Sequence, residues 1–121
     1  MANDGMDGEL RVLSLLTPRE DLTAAQFTGY WREVHAPLVT ELPHLLAYRQ
    51  YEVVGELARP ARTNTGPPVL GVAELVFDSL QGRVDAYASA AGARLTADGA
   101  NFVSGGRSLH VVRHTILDRA R

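Results

Sequence analysis

Residues Val69–Phe77 read VLGVAELVF, with apolar side chains at both odd and even positions. A strand with one wet face alternates apolar and polar residues, so apolar residues at both parities mark a strand covered on both sides. Working outward, Leu10–Leu16 (LRVLSLL) has the same character and stops at Thr17-Pro18. Leu45–Val54 (LLAYRQYEVV) carries the β-branched and aromatic content of a strand. Leu109–Leu117 (LHVVRHTIL) supplies a fourth, after an expected turn at Gly105-Gly106.

Two helices fit between these strands. From Thr23, a plausible N-cap, apolar residues recur at Phe27, Tyr30, Trp31, Val34 and Leu38, the pattern of a helix with one buried face. Asp78-Ser79 caps a second helix whose expected apolar face is Leu80, Val84, Tyr87, Ala88 and Ala91, with a weaker helical piece running through Arg94 to Phe102. The stretch from Gly55 to Pro68, rich in proline and glycine, is a long loop. Residues 1–8 are small and polar and are expected to form a flexible tail ahead of a single domain over residues 9–121. The order is thus β-α-β-β-α-β, an α+β, ferredoxin-like arrangement with a four-stranded antiparallel sheet. Two helices cover only one face of such a sheet. A second copy of the chain is the economical cover for the other, so a homodimer with facing sheets is expected.

Composition narrows the chemistry. The formal charge of −2 offers no basic field for phosphate, which argues against a nucleic-acid partner. No run approaches the ~20 apolar residues of a membrane span, and the start, MANDGMDGEL, lacks a basic and then apolar leader, so no membrane partner and a cytoplasmic location are expected. Cysteine is absent, and all 12 basic residues are arginine, which removes thiolate nucleophiles and side-chain Schiff bases. What remains is proton transfer by His, Tyr, Asp or Glu, orientation by Arg, and whatever a bound metal or cofactor would bring.

Within the first helix, Tyr30–Leu38 reads YWREVHAPL. On a helical wheel of about 100° per residue, His35 falls at the edge of the buried stripe. Ala36 precedes a proline and is pushed out of the α region, so the helix is expected to break there and leave His35 at its C-terminus, with Pro37 opening a second short turn. Two roles fit an imidazole so placed: a cap bonded to a carbonyl of its own helix, or an acid–base catalyst beside aromatic residues.

YWREVHAPL, LAYRQY, GVAELVFDS and ADGANFV resemble the EthD family of dimeric α/β-barrel proteins, over about Leu10 to Leu117. The resemblance implies a ferredoxin-like protomer, a dimer with facing sheets, and a pocket between sheet and helices. Family relatives include a methylmuconolactone isomerase, decarboxylases and dehydratases of aromatic polyketide pathways, and a member needed for fuel-ether degradation. It further implies no organic cofactor and a small hydrophobic substrate, with His35 and Tyr48 as the matching catalytic positions. Decarboxylation, dehydration, cyclisation and isomerisation are the expected reaction types. A metabolite-binding protein and a cofactor-free monooxygenase are the alternatives.

Other side chains are candidates for lining a ligand pocket: Tyr30, Trp31, Tyr51, Glu74, Phe102, His110 and His114. Tyr48 shares a strand face with Leu46 and Gln50, and if that side meets the helices its hydroxyl can serve a substrate oxygen. Tyr51 and Arg49 then face the dimer partner. Glu74 interrupts an apolar strand and calls for an arginine such as Arg49 or Arg113. His110 and His114 are four apart on a strand, which separates same-facing side chains by about 13 Å, too far for one metal ion; no metal site is expected. His44 is expected to face solvent. Asp98, in ADG, reads as a helix-end turn residue.

Overall fold

The computed structural model describes residues 2–4 and 8–120. Its strands are β1 (Ala2–Asp4), β2 (Leu10–Pro18), β3 (Leu45–Glu52), β4 (Gly71–Phe77), β5 (Val103–Val111) and β6 (Arg113–Thr115). The four long ones form an antiparallel sheet in the order β3-β4-β2-β5, with the two apolar strands at its centre as their pattern requires. β1 pairs with β6, so residues 2–4 of the stretch expected as a tail have a strand partner; residues 1 and 5–7 lie outside the described ones.

Helices pack on one face only. Leu10 and Val12 of β2 and Ala73, Leu75 and Phe77 of β4 are buried there against Phe27, Trp31, Val39, Leu42, Leu95 and Phe102. Leu13 pairs with Leu109 and Glu74 across β5 and β4, on the opposite, uncovered face, together with Leu15, Val72, Arg49 and Tyr51. Strand β3 carries a register shift between Leu45 and Ala47. The bulge turns Leu46 outward, where it is 57% exposed, and sets Leu45, Tyr48 and Gln50 on the helix side. Tyr48 and Gln50 therefore share a face, as the alternation requires, and that face meets the helices; Leu46 does not share it with them.

The first helix is capped as Thr23 promised: its hydroxyl accepts from the Gln26 N–H at 3.1 Å, and the Gln26 side chain accepts from the Thr23 N–H at 2.8 Å. It does not break at Ala36. Helix α1 (Ala24–Tyr30) runs into a π-helical turn at Trp31–His35 and on into α2 (Ala36–Val39), with Ala36 itself in helical conformation. Pro37 has no N–H, and in a regular α-helix its ring would crowd the carbonyl of residue 33. The wider turn, in which the Ala36 N–H reaches back to the Trp31 carbonyl, makes the proline tolerable without ending the helix.

Helix α3 (Leu80–Ala88) is rotated from the facing expected: of the expected stripe Tyr87 still meets Phe77 and Ala91 packs on the core from the following helix, but the rest faces out. Gly82 and Ala86 are buried, while Leu80 and Val84 are 62% and 54% exposed. The cause is close approach: a Cβ on Gly82 would run into the Asp78 carboxylate and come within 3.0 Å of the His44 side chain. Small residues let the helix sit down tightly, and most of the apolar stripe is left outside. Helix α4 (Ala90–Gly99) follows at once, and Gly105-Gly106, expected as a turn, lie within β5, which begins at Val103 rather than Leu109. Among the described residues no helix is long and apolar enough to cross a membrane.

Candidate functional site

The widened turn winds less per residue than an α-helix and so brings His35 round toward α4. Its Nδ1 lies 2.9 Å from Asp98 Oδ2, and its ring packs against Phe102 with centroids 4.6 Å apart. Both partners of the polar contact are largely sheltered, with side chains 14% and 11% exposed. Asp98 also accepts from the Tyr30 hydroxyl at 2.5 Å and from Asn101 Nδ2 at 3.2 Å. Burial alone would push the Asp98 carboxyl up, but the bonds from Tyr30, His35 and Asn101 hold it below the usual aspartate range. The same contact, with burial, raises the Tyr30 hydroxyl. Asp98 is thus an anion at neutral pH, and Tyr30 a proton donor to it.

An ionised carboxylate at Nδ1 selects the tautomer that carries its proton there. Nε2 is then the lone-pair nitrogen, and among the described residues it has no hydrogen-bond partner. His35 therefore caps no carbonyl of its helix, which has no side-chain cap at this point. Asp98 is not a mere turn residue: it sits in α4 and orients the imidazole from 63 positions away in sequence. The sequence signal that could have found it is modest. Asp98, Asn101 and Phe102 recur at helical spacings of three and four, whereas Tyr30 and His35 are five apart and meet Asp98 together only because the turn at Trp31–His35 is widened.

Tyr48 lies on the helix side of β3, where Gln50 Nε2 donates to its hydroxyl at 2.7 Å and to the Trp31 carbonyl at 3.0 Å. Burial pushes the Tyr48 hydroxyl above the usual tyrosine range, so it stays protonated. It lines a cavity of about 380 Å³ with Trp31, Arg32, Ala36, Gln50 and Glu52. No hydrogen bond or ring contact joins Tyr48 to His35 among the described residues; Ala36, the neighbour of His35, is the connection. Trp31 is buried against β4, where Gly71 makes room: a Cβ there would stand 2.7 Å from two indole carbons.

The remaining candidates fall elsewhere. Tyr51 and Glu74 are on the uncovered face, where Tyr51 donates to Glu74 at 3.0 Å. Glu74 pairs with Arg11 and stands 3.5 Å from Arg49, so Arg11 takes the leading place that Arg49 or Arg113 was expected to fill. Burial works to raise Glu74, but Tyr51 and the arginines hold it below the usual range. The His110 and His114 side chains are exposed and, among the described residues, make no hydrogen bond, ion pair or ring contact, so the structure does not bring them to His35. His44 is exposed, as expected, and meets Asp78 at 2.8 Å.

Sheet order, the β-α-β-β-α-β path and helices on one face define a ferredoxin-like α+β protein. Solved structures agree. An EthD family protein from Bacillus halodurans matches with a TM-score of 0.64 at 18% identity, covering 89% of this chain and 99% of that one. A dimeric ferredoxin-like protein of unknown function from Thermobifida fusca matches at TM-score 0.61 and 15% identity, covering 93% and 96%. The hydroxynitrile lyase of Passiflora edulis matches at TM-score 0.63 and 12% identity, covering 91% and 97%. No functionally curated protein matches in sequence. The EthD domain model matches residues 19–106, most of the chain, and the protein belongs to the EthD family.

Proposed function

We propose that the protein is a small-molecule enzyme working by acid–base chemistry, without an organic cofactor, on a hydrophobic aromatic or polyketide-like carbonyl compound. The observation that carries this reading is the His35–Asp98 pair, with Nδ1 on a sheltered carboxylate and Nε2 without a hydrogen bond among the described residues. In this role Nε2 takes a proton from carbon next to the carbonyl, and Asp98 steadies the imidazolium that results. The Tyr48 hydroxyl, kept protonated by burial, donates to the oxygen on which negative charge develops. Return of the proton to a different carbon gives isomerisation. Attack of the enolate carbon on a second carbonyl, whose oxygen takes the proton, gives cyclisation; expulsion of a β-hydroxyl, which leaves as water with that proton, gives dehydration. In decarboxylation no α-proton is removed, and the enolate left when carbon dioxide departs is protonated from the imidazolium. Trp31 contributes apolar wall beside Tyr48, and Tyr30 and Phe102 shelter the His35–Asp98 pair. That a hydroxynitrile lyase shares the fold supports a lyase-type activity.

The test is turnover on a panel of aromatic β-keto acids and cyclic ketones by wild type, His35→Ala and Tyr48→Phe. Loss of at least ~10²-fold with His35→Ala, the usual scale for a general base, is expected. Turnover within a few-fold of wild type would remove His35 from the chemistry. Saturable binding with no turnover in any form would make the chain a metabolite-binding protein instead.

The reading includes a homodimer with facing sheets. Leu13, Val72 and Leu109 lie on the face the helices leave bare, and a relative of this fold is dimeric. Sedimentation velocity should give twice the chain mass, and Leu13→Glu should shift it toward the monomer; a wild-type monomer at micromolar concentration would refute the assembly.

A further inference from the structure

At the other end of the uncovered sheet face, the β3–β4 connection folds back toward the start of β5 and borders a half-open cavity of about 460 Å³. Leu15 and Val69, both half-buried, and Pro67 give it apolar wall. Thr17, Thr65 and Ser104 bring hydroxyls to it. Arg107 is the ionisable residue in its lining, and among the described residues it has neither an ion pair nor a hydrogen bond from its side chain. Arg107 lies directly across from Leu15 in the β2–β5 ladder, so the cation stands beside apolar wall rather than beside a carboxylate. This contrasts with the larger cavity on the same face, where Glu74 already engages Arg11 and Arg49.

A half-open cavity of this size, with a mostly apolar lining, a few polar groups and one charge without a partner among the described residues, has the composition of a small-molecule site. We propose that it binds small amphipathic carboxylates: a ring or short acyl body against Leu15, Pro67 and Val69, and a carboxylate on the Arg107 guanidinium, which matches that group's planar, two-pronged geometry. The site is distinct from the His35 and Tyr48 region, which is on the helix side of the sheet, and it does not depend on the reaction assigned there.

Gly105 supplies a clean way to close it. It sits opposite Thr17, on the same face as Arg107, and a Cβ built on it meets nothing within 4 Å. A leucine there starts from an unobstructed Cβ on the cavity's lining and adds bulk to it. Neighbouring Gly106 offers no such freedom, because its Cβ would collide with the Leu15 carbonyl oxygen.

The experiment is calorimetric titration of the intact protein with 2-naphthoate and with its neutral analogue 2-naphthylmethanol. Wild type should bind naphthoate saturably, with Kd below about 1 mM. Arg107→Gln should weaken naphthoate about tenfold and leave the alcohol unchanged, as expected for losing one charge-assisted contact. Gly105→Leu should abolish binding of both, with circular dichroism and Tm as for wild type. Should Gly105→Leu fail to fold, the charge-selective effect of Arg107→Gln decides alone. Three results overturn the proposal: no saturable binding, as when a second copy fills the cavity; equal weakening of acid and alcohol by Arg107→Gln; or loss of naphthoate binding with Arg32→Gln instead, which moves the probe to the Tyr48 cavity.

Discussion

Asp98→Asn is the sharpest perturbation of the site, because it keeps the shape and removes the charge. In the wild type the carboxylate accepts from Tyr30 at 2.5 Å, His35 at 2.9 Å and Asn101 at 3.2 Å, with only 11% of its side chain exposed. An asparagine can still accept from Tyr30 through its oxygen, but it presents an amide N–H to His35 Nδ1. The imidazole must then accept at Nδ1 and carry its proton on Nε2, the reverse of the wild-type arrangement. Exchanging charge-assisted bonds for neutral ones costs about 1–2 kcal/mol, which for a domain of this size lowers Tm by roughly 4–8 °C. Urea unfolding measures the first quantity. Imidazole nitrogen chemical shifts, read through two-bond correlations to the ring protons at pH 8, report the tautomer directly. The pH dependence has a definite sign. Asp98 is held below its ordinary value in the folded state, so its contribution is present at neutral pH and is lost as pH falls through the folded-state value in acid. The asparagine variant lacks that part of the acid limb. A variant as stable as wild type, with the proton still on Nδ1, would refute the claim that Asp98 orients His35.

Gly71→Ala places a methyl 2.7 Å from the indole of buried Trp31 and should cost about 1–3 kcal/mol by overpacking, measured by denaturant titration; a neutral result would mean the indole is free to move. Helix α3 offers a paired test: Val84→Ser, on the exposed stripe, should change stability by less than about 0.5 kcal/mol, whereas Ala86→Leu, at a fully buried position, should cost ~2 kcal/mol or more. The reverse ranking would restore the facing read from periodicity. Glu74→Gln leaves Arg11 without its carboxylate in a sheltered place and should destabilise the protein at pH 7. Because Glu74 is held below its ordinary value, the difference between variant and wild type should shrink as pH falls through the folded-state value, which paired acid titrations would show.

Several features were legible in the sequence because they are local. The apolar runs of β2 and β4 announce central strands, Thr23 announces a helix start through its capping bonds, and the order of elements leaves few topologies open. The alternation along β3 put Tyr48 and Tyr51 on opposite faces of the sheet, as found, and left open which of them meets the helices. Where a bulge or a glycine intervened, local reading failed: Leu46 slipped out of phase at the β3 bulge, and Gly105-Gly106 extended a strand instead of turning it. A glycine pair is permissive, and whether the chain turns there depends on what lies alongside; here it is the carbonyl of Leu15.

By itself, then, the sequence determined the class of fold, the helix that carries His35 and the residue types available for chemistry, since period, propensity and composition depend on near neighbours. Tertiary structure alone decided which partner the imidazole has, which face of α3 is covered, and that Pro37 widens the helix rather than ending it. Each of these depends on a contact between segments far apart in the chain, where the balance of burial, sterics and charge is set by the packed neighbours and leaves no periodic trace in either segment.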